Sequence, residues 1–230
     1  MSDDPRAKLL QAALPHVPFD GWSEATFQAA IADSGVSPGV ARATCPRGAV
    51  NLALAYHESG DYRMIAALEA ADLDALRFRD RIALAVRLRL EAVEDKELVR
   101  RGVTLFALPQ YAADGARSVW GTCDRIWRAL GDRSKDINWY TKRATLSGVY
   151  SATVLYWLGD DSPGHAATWE FLDRRIDDVM RIETMKAKAR DNKVLSTLMA
   201  GPMALVSRVR APGSDDGASA GMPGQWRRET

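Results

Sequence analysis

The sequence has little of what most chemistry requires. It contains two cysteines, Cys45 and Cys123, far apart and outside any CxxC pair, so no thiol redox or zinc framework can be read from it. It has three histidines, His16, His57 and His165. His57-Glu58 is not followed by a second histidine, so there is no HExxH, and no acid precedes a histidine at the Glu-x-x-His spacing of a di-iron bundle. Each histidine is expected at the surface or at a helix cap. No GxGxxG or P-loop is present, and no cofactor or metal is expected. No apolar run reaches the ~18–20 residues that span a bilayer. The formal net charge is +1, so no global field draws the chain to nucleic acid or anionic lipid. Strand-like alternation is not sustained anywhere, which argues against a sheet.

What remains is a chain of 230 residues, 47% hydrophobic and 27% charged, rich in Ala, Leu, Arg and Glu. These are helix formers, and caps and breakers divide them into about ten helices. The first is expected from about Pro5 to Leu14, before the breakers Pro15, Pro18 and Gly21. The second follows Trp22 with Ser23 as N-cap and stops near Gly35; the third opens at Ser37-Pro38 and ends before Pro46. Others are expected from Arg47-Gly48 to about Ala71, Asp74 to Val93, Lys96 to Leu108, Ala112 to Leu130 and Asp136 to Leu158. The ninth starts at Ser162-Pro163, with Trp169, Leu172, Ile176 and Val179 on one face. The tenth, Asn192 to Val209, carries a Met-rich apolar stripe with basic flanks and a Gly201-Pro202 kink. That pattern fits a helix lying on a membrane surface. After Pro212 the composition is that of a disordered tail. The implied organisation is an N-terminal helix-turn-helix part (1–48), a larger helical part (49–190), an amphipathic membrane helix (191–210) and a tail (211–230).

Two motifs match in letters but fail in chemistry. Ile31-Ala32-x-x-Gly35-Val36-Ser37 has helix-turn-helix spacing, but the following helix, Pro38-Gly39-Val40-Ala41-Arg42-Ala43-Thr44, offers one arginine and few base-reading side chains. Gly35-Val36-Ser37-Pro38-Gly39 matches GxSxG, yet it follows a helix, and Pro38 has no N–H for an oxyanion hole. The most informative stretch is Asp136-Ile137-Asn138-Trp139-Tyr140-Thr141-Lys142-Arg143-Ala144. It sets two large aromatics and two cations at a helix start, with Trp139 and Arg143 on one face. In the helix that follows, Ser147, Gly148, Ser151 and Ala152 leave room for a close helix–helix approach, and a homodimer bundle with the ninth helix is expected.

Several of these segments occur in order: Gly21-Trp22 before the helix-turn-helix, Leu108-Pro109, Asp136-x-Asn138-Trp139-Tyr140-Thr141-x-Arg143-Ala144, and Asp161-Ser162-Pro163 through Thr168-Trp169-x-Phe171-Leu172-x-x-Arg175. Over roughly residues 6 to 206 the chain resembles the ubiquinone-biosynthesis accessory proteins of the ninth Coq family. The resemblance implies an all-α fold like that of TetR transcriptional regulators, with a lipid-binding cavity in the larger helical part and a C-terminal amphipathic helix. It implies a non-catalytic homodimer that binds an isoprenoid lipid or quinone intermediate. It also implies a membrane surface and the di-iron hydroxylase of demethoxyubiquinone as partners. Carried over, Leu108, Pro109, Trp139, Tyr140 and Arg143 would face the hydroxylase, and Leu195, Leu198, Met199, Met203 and Leu205 would face the membrane. A ligand-responsive TetR-like regulator is the alternative. Mitochondrial members carry a long leader; its lack here leads to the expectation of a bacterial protein, cytoplasmic and peripheral on the inner membrane.

Overall fold

The computed structural model describes residues 4–191. Among them every element is helical. The order is α1 (Pro5–Ala13), α2 (Val17–Asp20), α3 (Glu24–Ser34), α4 (Pro38–Thr44), α5 (Ala49–Glu69), α6 (Phe78–Glu91), α7 (Lys96–Phe106), α8 (Ala112–Ala129), α9 (Ile137–Leu158) and α10 (Ala166–Asp191).

The starts are set by side chains that satisfy otherwise orphaned amides. Asp4 accepts from the Arg6 amide with Pro5 at the first position, and Ser23 accepts from Thr26. Asp95 accepts from Glu97, and Asp136 from Asn138. Ser37 caps α4, accepting from the Val40 amide, so its hydroxyl is structural. Gly35 ends α3 at φ 69°, the left-handed turn that glycine adopts at little cost.

Two apolar cores form. The first joins α1 to α4 around Leu9, Val17, Phe27, Ile31 and Leu52. The second joins α5, α6, α8, α9 and α10 around Met64, Val86, Ile126, Tyr150, Trp157 and Ile176. Helix α5 belongs to both, so it carries the N-terminal unit on the larger bundle. The Trp22 indole N–H donates to the Leu98 carbonyl at 3.1 Å, and Arg101 donates to the Pro18 carbonyl at 2.7 Å; together they tie that unit to α7.

Three expectations shift. The Pro15–Gly21 breaker region folds into the short α2, which Pro18 suits as a first-turn residue. Helix α6 starts at Phe78 rather than Asp74, because the chain first turns between Leu73 and Leu76, where the Leu76 amide donates to the Leu73 carbonyl. The ninth expected helix opens as a 3-10 turn, Pro163–His165, with Gly164 and His165 at positive φ. Asp160, accepting from the Thr168 amide and hydroxyl, then settles the start of α10. The tenth expected helix and the tail lie outside the described residues.

The bundle is cross-linked by one carboxylate. Asp61 on α5 is fully buried and accepts from Arg89 of α6 at 2.7 Å, Arg125 of α8 at 2.9 Å and the Thr122 hydroxyl at 2.9 Å. Removing one partner of such a buried pair leaves an uncompensated charge, costing about 3–5 kcal/mol. Asp61→Ala is therefore expected to lose stability on that scale, read as a lower urea midpoint at an unchanged denaturant slope; a midpoint equal to the parent's contradicts the assignment.

Candidate functional site

Small residues on facing helices leave a void that the core does not fill. Gly102, Ala112, Gly115 and Ala116 line it where α7 meets α8. A Cβ on Gly115 would lie 2.7 Å from the Phe106 Cβ, so glycine also permits the close approach of these two helices. The resulting cavity is about 330 Å³, within the ordinary range for a small-molecule site. Tyr56, Leu90, Val99, Phe106, Val119 and Val154 supply much of its apolar wall.

One wall is polar but carries no free charge. The Arg89 guanidinium is matched by Asp61 and donates to the His57 carbonyl at 3.0 Å. His57 Nε2 lies 2.8 Å from the Thr122 hydroxyl. Burial, reinforced by the Arg89 charge, pushes the His57 pKa down to about 4, so its ring is neutral at physiological pH. Burial pushes the phenol of Tyr150 up to about 12. The Thr122 hydroxyl paired with His57 is fully buried, donates to Asp61 and does not line the space. The arrangement suits retention of an uncharged, mostly apolar molecule. His57 departs from the expected surface or cap position because its ring closes the Asp61 network.

A second feature lies at the start of α9. Trp139 meets Tyr140 edge-on at 4.8 Å between ring centroids, and Trp120 of α8 lies 5.9 Å from Trp139 and 6.5 Å from Tyr140. All three are half-buried. Trp120 escapes a sequence reading because it shares a stripe with Cys123 and Trp127, which reads as core. Leu108, 43% exposed, and Pro109 stand in the turn before α8. Trp120 lies eight positions beyond Ala112 along α8, a rise of about 12 Å, so the two groups lie apart along one helix.

Arg143 does not stand with them at the surface. Its side chain is 1% exposed, drawn inward by Asp124 at 2.6 Å and Asp132 at 3.0 Å. Spacing correctly pairs it with Trp139, whose ring centroid lies 4.0 Å from the guanidinium carbon, but the pair faces α8 rather than solvent. Leu195, Leu198, Met199, Met203 and Leu205 lie outside the described residues. Among those described, no helix is long and apolar enough to cross a membrane.

Residues 112–183 match the COQ9 family model. The ubiquinone biosynthesis protein COQ9 of Drosophila melanogaster is 36% identical over 188 residues, covering 78% of this chain and 56% of that protein. The chain belongs to the COQ9 family. A probable ubiquinone biosynthesis protein coq9 of Dictyostelium discoideum is 30% identical over 80% of this chain and 61% of its own length; the human COQ9 is 28% identical over 76% and 57%. The chain thus spans little more than half the length of the curated relatives it matches. A TetR transcriptional regulator from Nitrosomonas europaea superposes with a TM-score of 0.62 at 21% identity, covering 76% of this chain and 97% of that one. The all-α, TetR-like fold is therefore as expected.

These COQ9 relatives are mitochondrial proteins of eukaryotes, and this overturns the expected location, cytoplasmic on a bacterial inner membrane. That expectation rests on the lack of a leader in the first residues, and where a sequence begins does not report the compartment.

The neutral His57 yields a pH prediction. Its folded pKa lies below the unfolded value of about 6.5, so the unfolded chain takes up the proton first as pH falls. Its contribution is fully present above pH 6.5 and is lost as pH drops toward 4. His57→Gln is expected to flatten the stability profile between pH 6.5 and 5, measured by urea unfolding; parallel profiles for parent and variant contradict it.

Proposed function

We propose that this COQ9-family protein serves ubiquinone biosynthesis without catalysing a step, by holding a polyprenyl quinone intermediate in the α5–α9 cavity and presenting its head group to a hydroxylase at the membrane. The observation that carries the reading is the apolar cavity with an uncharged polar wall, in a relative of proteins named for ubiquinone biosynthesis.

The size of the void shapes the mechanism. At about 330 Å³ it lies at the low end of the range for small-molecule sites. That suffices for a substituted ring and the first part of a tail, not for a long isoprenoid chain. Exposing that chain to water costs about 0.8 kcal/mol per CH₂. The protein therefore works at the bilayer, with the distal tail left in lipid. The Met-rich segment 192–209, with Leu195, Leu198, Met199, Met203 and Leu205, supplies the membrane contact. Trp139 and Tyr140 supply the face for the di-iron hydroxylase of demethoxyubiquinone, with Leu108 and Pro109 as a separate contact at the other end of α8. A second copy packs on α9 and α10, where Leu155 is 61% exposed and Tyr156 stacks on Phe171 at 4.5 Å.

The regulator reading has less support. Arg42 is paired with Glu24, and Arg47 with Asp114 at 2.8 Å. The two cations best placed for phosphate contacts are thus already neutralised, and phosphate contacts supply most of the affinity for duplex DNA.

Native purification, organic extraction and mass spectrometry test the ligand. Near-stoichiometric isoprenoid quinone is expected from the parent protein, and at least tenfold less from Ala116→Trp, which plugs the cavity at an exposed position; equal or absent lipid in both contradicts the reading. Deleting residues 193–210 is expected to abolish flotation with anionic phospholipid vesicles while the far-UV helical signal of the bundle persists. Unchanged flotation sinks the membrane assignment.

A further inference from the structure

Arg143 is a long cation placed where solvent cannot use it. Its Nε donates to Asp124 Oδ1 at 2.6 Å; its Nη1 donates to Asp132 Oδ2 and to the Trp139 carbonyl, both at 3.0 Å. The guanidinium lies against the inner face of the Trp139 ring. Asp132 is itself clamped. Its Oδ1 accepts from Lys142 Nζ and from the Ser134 hydroxyl, both at 2.8 Å, and its side chain is 2% exposed. Burial alone would raise its pKa, but the bonds from Lys142, Ser134 and Arg143 outweigh this and hold the carboxyl well below the usual range. Lys142 in turn sits over the Trp127 ring, and the Trp127 indole N–H donates to the Lys142 carbonyl at 3.2 Å.

Buried ion pairs of this kind contribute little net stability over apolar replacements, yet they fix geometry through directional bonds. What this one fixes is the first turn of α9 and the ring above it. The rings it supports, Trp139 and Tyr140 with Trp120, are of the residue type that anchors interfaces, and rigid anchors lose little entropy on binding. Arg133, in the same loop, is exposed and makes no ion pair among the described residues.

We infer that Asp132 and Arg143 are positioning residues that hold Trp139 in a preset docking pose, and that Trp120 is the third ring of that face, which receives a partner protein with an apolar centre and an acidic residue opposite Arg133. This rests on the docking face proposed above. It adds which residues shape the face and what charge its rim favours.

A double-mutant cycle with the di-iron hydroxylase as probe separates the two claims. Trp139→Ala and Trp120→Ala are each expected to weaken binding at least tenfold, and Trp120→Phe to retain most of it. Asp132→Asn is expected to weaken binding about tenfold in the parent and to add no further loss in Trp139→Ala. Its near-UV circular dichroism should lose part of the coupled tryptophan signal at an unchanged far-UV signal. Arg143→Lys, which keeps the charge and loses the fork, should repeat the pattern if Asp132→Asn folds poorly. Additive losses, or parental binding by both Asp132→Asn and Arg143→Lys, overturn the positioning role while leaving the docking face. Parental binding by Trp139→Ala overturns the docking face and this inference with it. A shallower dependence of binding on added salt in Arg133→Ala than in the parent is the expected sign of the acidic rim; an unchanged salt slope overturns that part.

Discussion

The buried carboxylate of Asp61 is the constraint on which the larger bundle depends. Three helices meet at its two oxygens, through Arg89, Arg125 and Thr122. An apolar contact at this point would close wherever side chains could slide together, because burial is not directional. Charged hydrogen bonds have preferred lengths and angles, so they hold α5, α6 and α8 at a fixed spacing. With that spacing set, the small residues of α7 and α8 leave a void instead of being squeezed shut. Gly60 belongs to the same logic: a Cβ there would lie 2.6 Å from the Arg89 guanidinium, so only glycine lets the arginine lie along α5.

The network also sets the chemistry of the cavity. The charges of Arg89 and Asp61 cancel, and His57 is kept neutral by burial beside the Arg89 charge. A lipid carboxylate or phosphate would find no free cation there, whereas a quinone or phenol ring carries no charge to lose. The same device, an arginine paired with a buried aspartate, recurs at the start of α9. In the first case it preserves an interior space; in the second it supports an exterior aromatic face. The two lie on the same α8–α9 pair, so a ligand in the cavity and a partner on the face would act on a shared piece of structure.

Much of the fold was legible in the chain because helix ends are written in single residues. Ser23 is a cap in both the sequence reading and the structure, and the helix starts expected at Ser37 and Asp136 fall within one residue of those observed, at Pro38 and Ile137. Boundaries slipped where tertiary bonds override local signals, as where Asp160 reaches across to Thr168 and displaces the start of α10 from Pro163. The cavity was not legible, since a void has no residue of its own and its wall reads as core. Arg143 illustrates a second limit. A spacing of four gives the neighbour on the helix, not whether that face turns inward; the deciding carboxylates, Asp124 and Asp132, come from α8 and the loop after it. Trp120 joins the aromatic face for the same reason, through packing that spacing cannot reveal.

The central claim is that the α5–α9 cavity receives the head group of an uncharged isoprenoid quinone. A crystal structure of the full chain grown with a short-tailed ubiquinone analogue tests it most directly. The account predicts ring density between Tyr56, Phe106 and Val154, with the Asp61–Arg89 pair intact and the tail directed out of the bundle. Density bound only on the outer surface, with the cavity closed by a shift of α7 onto α8, would contradict it.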